Sequence, residues 1–178
     1  MPGPVFLRGE SVVLRTVEDE DLTFLQEAIN DPVVRRHLGA STPINGEQER
    51  EWFEERASGD DQVSLLVCRG EEVMGSISLH PHGELRVNAE LGLFLAEEFW
   101  GHGYGTEASR LLTDYAFRER RHHRVFARVF EGNEGSARVW EKLGFRHEAT
   151  HRESAFLDGE YVDVHHYAVL EDEWSSEE

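Results

Sequence analysis

Hydrophobic and polar positions change period repeatedly along this chain, and each change marks an element. Residues 6–17 partly alternate around Gly9 and Glu10, which predicts an opening strand. Leu22, Leu25 and Ile29 then recur at helical spacing behind Asp19, Glu20 and Asp21, acids that suit a helix N-terminus, and Pro32 marks the end of that helix. A second helix is expected over residues 46–57, presenting Trp52, Phe53 and Ala57, before turn residues at 58–61. Strands follow at 62–68 and 72–80, joined by a tight turn at Gly70, and at 87–96. The clearest helical face of the chain carries Tyr104, Ala108, Leu111, Leu112 and Tyr115 and predicts a helix over 104–121. A strand at 125–130, a short helix at 136–143 stopped by Gly144, and strands at 145–153 and 161–170 around Asp158 and Gly159 complete the order.

Several adjacent hairpins do not match the regular alternation of a doubly wound parallel sheet. The expected fold is therefore α/β of the α+β kind, with a mixed, mostly antiparallel central sheet flanked by helices. The 178 residues, 39% hydrophobic and 30% charged, suit one packed domain over 1–178 with its core at about 6–171. Only the tail from Trp174 to Glu178 reads as loose.

Composition narrows the function. No apolar run approaches the roughly 18 residues a bilayer requires, and the N-terminus lacks a basic segment followed by an apolar one, so neither a membrane span nor a secretion signal is expected. Cys68 is the one cysteine, which excludes an intrachain disulfide and a cysteine zinc cage and makes a reducing cytoplasm the expected compartment. Thirty-six acidic residues stand against 18 basic ones, for a net charge of −18, and Lys142 is the lone lysine. Such a chain repels phosphate backbones, so nucleic acid is not an expected partner. The acids could form a groove for a cationic substrate. Their spread over the whole chain favours instead a halophilic protein kept soluble in concentrated salt.

Two segments carry candidate chemistry. Between a strand and the best helix, residues 100–108 read WGHGYGTEA, with Gly101, Gly103 and Gly105 at alternate positions. Glycine permits a tight bend and close backbone approach, and free amides at a helix N-terminus attract phosphate oxygens. The bend lacks the Lys-Ser/Thr ending of a nucleoside triphosphate loop, and by itself it is equally readable as a structural turn. The second segment, NEGSARVWEKLGF at 133–145, follows the next strand.

Together the two segments resemble the GNAT superfamily of acetyl-CoA-dependent N-acetyltransferases, and the resemblance covers nearly the whole chain. The opening VVLRTVEDEDL and the closing GEYVDVHHYAVLEDEW look like the branch that includes ribosomal-protein N-terminal acetyltransferases. The resemblance implies acetyl-CoA as co-substrate and direct transfer to an amine acceptor, with no metal. The acceptor would be a protein N-terminus or else a small amine such as a polyamine or amino-sugar. Backbone amides of Gly101, His102, Gly103, Tyr104, Gly105 and Thr106 would bind the pyrophosphate, and Leu93, Phe94 and Leu95 would pair by main chain with the pantetheine arm. Asn133 and Ser136 would flank that arm, although both residue types also serve as caps. Trp100 stands where the family often has Arg or Gln.

Glu90 matches the acidic position of the family's proposed base. The tyrosine that many relatives use to protonate the departing thiolate is here Trp140, whose indole cannot act as that acid; the resemblance leaves Ser136 to donate to or orient the sulfur, or solvent to protonate it. A catalytically silent acyl-CoA-binding protein is the competing reading. Homodimers are frequent among the relatives, which makes one an expectation here. The histidine pairs His80/His82, His122/His123 and His165/His166 show no metal-helix spacing, and Cys68 reads as a buried, inert thiol. Trp52 and Phe53 could line an acceptor groove, but aromatic residues at that spacing usually pack in a core.

Overall fold

The computed structural model describes residues 2–85 and 87–175. One eight-stranded sheet runs through it in the order β1-β2-β3-β4-β5-β6-β8-β7. The strands are β1 (Val5–Arg8), β2 (Val13–Thr16), β3 (Val63–Arg69), β4 (Glu72–His82), β5 (Asn88–Leu95), β6 (Arg124–Phe130), β7 (Arg146–Leu157) and β8 (Glu160–Leu170). Every neighbouring pair is antiparallel except β5 and β6, which are parallel and joined through a helix. The mostly antiparallel sheet expected from the hairpins is the sheet observed.

Two layers of helices cover it. On one face α4 (Tyr104–Arg118) and α5 (Glu134–Lys142) bury Ala108, Leu112, Ala116 and Trp140 against Ala89, Leu91, Val125, Ala127 and Val129. On the other, α1 (Leu22–Asn30), α2 (Pro32–Leu38) and α3 (Gly46–Trp52) serve the β2–β5 half. There Leu22 and Leu25 pack with Leu66 and Cys68, and Trp52, Phe53 and Phe94 close the cluster. Trp52 and Phe53 are thus core residues.

Five local expectations change. Residues 6–17 are not one strand but the hairpin β1–β2, because Gly9 turns the chain and donates its amide to the Val12 carbonyl at 2.9 Å. Pro32 does end α1, yet it also opens α2. Asp31 accepts from the amides of Val33 and Val34, proline fits the first helical position, and Gly39 closes the helix with φ +65°. Helix α4 stops at Arg118, three residues early, and β7 runs on to Leu157, where Asp158 and Gly159 (φ 51° and 85°) form the tight turn. Trp174 is not loose: its indole N–H donates to Asp114 at 2.9 Å and its ring meets Phe117 and Phe145. Ser176, Glu177 and Glu178 of that tail lie outside the described residues.

Candidate functional site

The glycine segment makes a bend between β5 and α4. Gly101 and Gly103 sit at φ +76° and +83°, and nothing lies within 4 Å of a Cβ placed on either, so backbone angle rather than crowding selects glycine there and the outer side stays open. Gly103 is also the N-cap of α4 and has no side chain to satisfy its amides. The first amides of a helix have no intrahelical acceptor, so an uncapped, sterically open helix start fits a pyrophosphate. Gly105 differs. A Cβ there would stand 3.2 Å from Leu93 Cδ2 and 3.9 Å from Val139 Cγ2, so its role is to let α4 approach β5 and α5.

Side chains around the bend keep it in place. Trp100 donates its indole N–H to the Leu95 carbonyl at 2.8 Å, and His37 of α2 meets its ring edge-on. Glu107, the acid in the first turn of α4, is turned away to accept from the amides of Ser11 (2.9 Å) and Val12 (3.4 Å). His102 stacks on Tyr104, whose hydroxyl accepts from Arg69 at 3.2 Å, bringing a guanidinium beside the helix start.

Next to the bend the sheet opens. β5 and β6 are paired at three positions, from Asn88↔Arg124 to Glu90↔Phe126, and beyond that point residues 91–95 have no strand beside them on the β6 side. Leu93, Phe94 and Leu95 therefore lie along an open strand edge. Across the opening, α5 begins after β6: Asn133 caps it by accepting from the Ser136 amide at 3.2 Å, and buried Trp140 donates its indole N–H to Ser136 Oγ at 3.2 Å. A hydroxyl that accepts in this way keeps its own proton to donate elsewhere.

Glu90 stands at the apex where the strands part. Its Oε1 accepts from Arg128 Nε at 2.6 Å, and its side chain is 19% exposed. Directly across the antiparallel pair from it lies His80, a residue set aside in the sequence reading. Burial holds the His80 imidazole below its ordinary value, which keeps it unprotonated at neutral pH, although the nearby Glu90 carboxylate pulls the other way. His80 Nε2 shares a hydrogen bond of 2.7 Å with Ser78 Oγ, and a Cβ at Gly92 would stand 3.0 Å from that hydroxyl, so glycine there makes room for the pair. Arg128, His80 and His166 carried no local sequence signal. The available clue was strand alternation, which puts 124, 126, 128 and 130 on one face and 125, 127 and 129 on the other.

Other candidates resolve simply. Among the described residues no group of three or more His, Cys, Asp or Glu side chains could hold a metal ion. Cys68 is fully buried, and burial pushes its thiol up to about 11, so it is no nucleophile. No described helix is long and apolar enough to cross a membrane.

Comparison with known proteins identifies the family and the fold. Residues 11–146 match the family described as acetyltransferase (GNAT) domain. The chain is 32% identical to the putative ribosomal N-acetyltransferase YdaF of Bacillus subtilis (strain 168), over 95% of this chain and 96% of that one. It is 24% identical to the spermidine N(1)-acetyltransferase of Escherichia coli (strain K12), over 95% and 91% of the two chains. Among solved structures, the spermidine N-acetyltransferase from Vibrio cholerae in complex with CoA and spermine superposes with a TM-score of 0.86 at 20% identity, covering 93% of this chain and 98% of that one, a likeness of fold.

Proposed function

The chain belongs to the GNAT acetyltransferase family, and from that premise we propose that it moves an acetyl group from acetyl-CoA directly to a primary amine, with a protein N-terminus as the first acceptor class. The observation that carries this reading is one continuous feature: an unpaired β5 edge running from the Glu90/Phe126 apex to an uncapped glycine bend. Acetyl-CoA supplies the thioester carbonyl. The amides of residues 101–106 hold its pyrophosphate, and the main chain at Leu93 to Leu95 aligns its arm, with the Leu95 carbonyl already steadied by Trp100.

Glu90 takes the proton of the attacking amine, its second oxygen having no hydrogen-bond partner among the described residues, with unprotonated His80 beside it as the alternative acceptor. Ser136, oriented by Trp140, donates a hydrogen bond that steadies the departing thiolate, which takes its proton from solvent. The similarity to spermidine acetyltransferases supports a small amine as the second acceptor class. The single domain, the cytoplasmic location, the homodimer and the salt-adapted surface belong to the same proposal.

The test is thiol release from acetyl-CoA with a panel of peptides and amines in molar KCl, alongside calorimetry of acetyl-CoA binding. Transfer to any primary amine supports the reading. Binding without turnover on every acceptor would mark a silent acyl-CoA-binding protein, and no binding at all would refute both.

A further inference from the structure

Beyond Glu90, on the sheet face away from α4, lies a cavity of about 480 Å³ lined by residues of five strands, β4 to β8. Its charges run against those of the chain. Net charge overall is −18, yet the lining holds one carboxylate, Glu90, against two guanidiniums, Arg124 and Arg128, and three imidazoles, His82, His151 and His166. The rest is largely apolar: Phe126, Phe130, Val164 and Ala155, with Ser154.

The two arginines are not equivalent. Arg124 is committed, with one terminal nitrogen on Glu148 and its guanidinium 5.0 Å from the centre of the Phe126 ring. Arg128 gives its Nε to Glu90 and makes no other hydrogen bond among the described residues. A guanidinium has five N–H donors in a planar fork, so the terminal pair remains available to an oxygen brought into the cavity next to the base. Opposite, His166 is the register partner of Arg128; it stacks on Phe126 and lies 4.2 Å, ring to ring, from His151. A polyamine placed here would need carboxylates for its remaining ammonium groups, and the lining offers none besides the Glu90 already bound to Arg128.

We propose that this cavity selects an amine that carries a carbonyl or carboxylate oxygen beside it, held by the terminal nitrogens of Arg128, and that it discriminates against polycations. This rests on the acetyl-transfer reading above. Both a free α-amino acid and a peptide N-terminus present the required chemistry, and both suit a lining with an excess of cationic and imidazole groups better than an extended polycation does.

The experiment compares L-alanine, an alanyl dipeptide amide, ethylamine and spermidine as acceptors for the full chain and for Arg128→Gln. One readout is kcat/KM for thiol release. The other is calorimetric binding of each amine to the CoA-loaded protein, which needs no turnover. The expected result is at least about tenfold preference for an alanine-bearing acceptor over both ethylamine and spermidine, as a charged hydrogen bond supplies. The dipeptide and amino-acid arms identify the source of the oxygen. Glu90 loses its partner in Arg128→Gln, so the decisive quantity there is the ratio between alanine-bearing acceptor and ethylamine, which should fall toward unity. Spermidine used or bound as well as the alanine compounds, or a ratio untouched by Arg128→Gln, would overturn the proposal while leaving acetyl transfer intact. Failure of acetyl-CoA to bind would instead refute the transfer reading itself.

Discussion

The two sides of the β5/β6 opening are built from different materials. On the side proposed for the coenzyme the available groups are main-chain: amides of residues 101–106 and the open edge of β5. On the acceptor side they are side chains, Glu90, His80, Arg128 and His166, contributed by four strands. A backbone site depends on what conformation the chain can adopt and is nearly indifferent to side-chain identity, whereas a side-chain site changes its ligand with each substitution. One half can therefore stay constant in chemistry while the other is retuned for a different amine.

On the main-chain side the largest effect on coenzyme affinity is expected at Gly103. A β-branched residue at φ +83° costs about 1–3 kcal/mol of backbone strain and disturbs the uncapped amides. Gly103→Val should therefore weaken acetyl-CoA binding by about tenfold or more in calorimetry, with a thermal melt to establish that the variant folds. His102→Ala, one residue away, should leave binding within about twofold, because the amide rather than the imidazole makes the contact; a large loss there would mean the bend reads side chains after all.

On the acceptor side the largest effect is expected from Glu90→Gln, a fall in kcat of about a hundredfold, the usual worth of a placed base, with acetyl-CoA affinity unchanged. Full activity would remove Glu90 from the proton path. Ser136→Ala should cost about tenfold in kcat, and Trp140→Phe, which keeps the ring but removes the N–H that holds the hydroxyl, somewhat less. Since the indole acts through the serine, the double variant should be no slower than Ser136→Ala alone. Additive losses would show two separate roles.

The smallest expected change concerns pH. Desolvation lowers the His80 value, so the folded protein holds it unprotonated to more acidic pH than an exposed histidine. The sign follows: a role for neutral His80 is retained as pH falls past the ordinary value near 6.5 and is lost only at the lower folded value. Below 6.5 the unfolded chain takes up a proton that the fold refuses, so His80 also subtracts stability as pH falls through that window. His80→Gln should flatten the acid limb of the rate profile, and an unchanged limb would leave Glu90 as the sole acceptor.

Legibility in the sequence divides along the same line. The glycine bend, the face of α4 and the Asn133/Ser136 cap were readable, because each is a demand on a few consecutive residues. Helix α2 is equally local, since Asp31, Pro32 and Gly39 are start and stop signals, but a proline marks the end of one helix and the first turn of the next with the same residue. Trp140 could be excluded as an acid from its identity alone. That its N–H reaches Ser136 follows from their spacing of four on α5, and only the fold shows it buried there.

Family, mostly antiparallel mixed sheet and the place of the glycine bend were all legible in residue order alone, because backbone conformation is written in residue type at the place where it is needed. Only the tertiary structure decided what faces the acceptor. His80 meets Glu90, Glu90 meets Phe126, and Arg128 meets His166 through strand registers. Register is set by how the opposite, buried faces of β4, β5, β6 and β8 pack in the core beneath α4 and α5, and a slip of one residue would turn each of these side chains to the other side of the sheet.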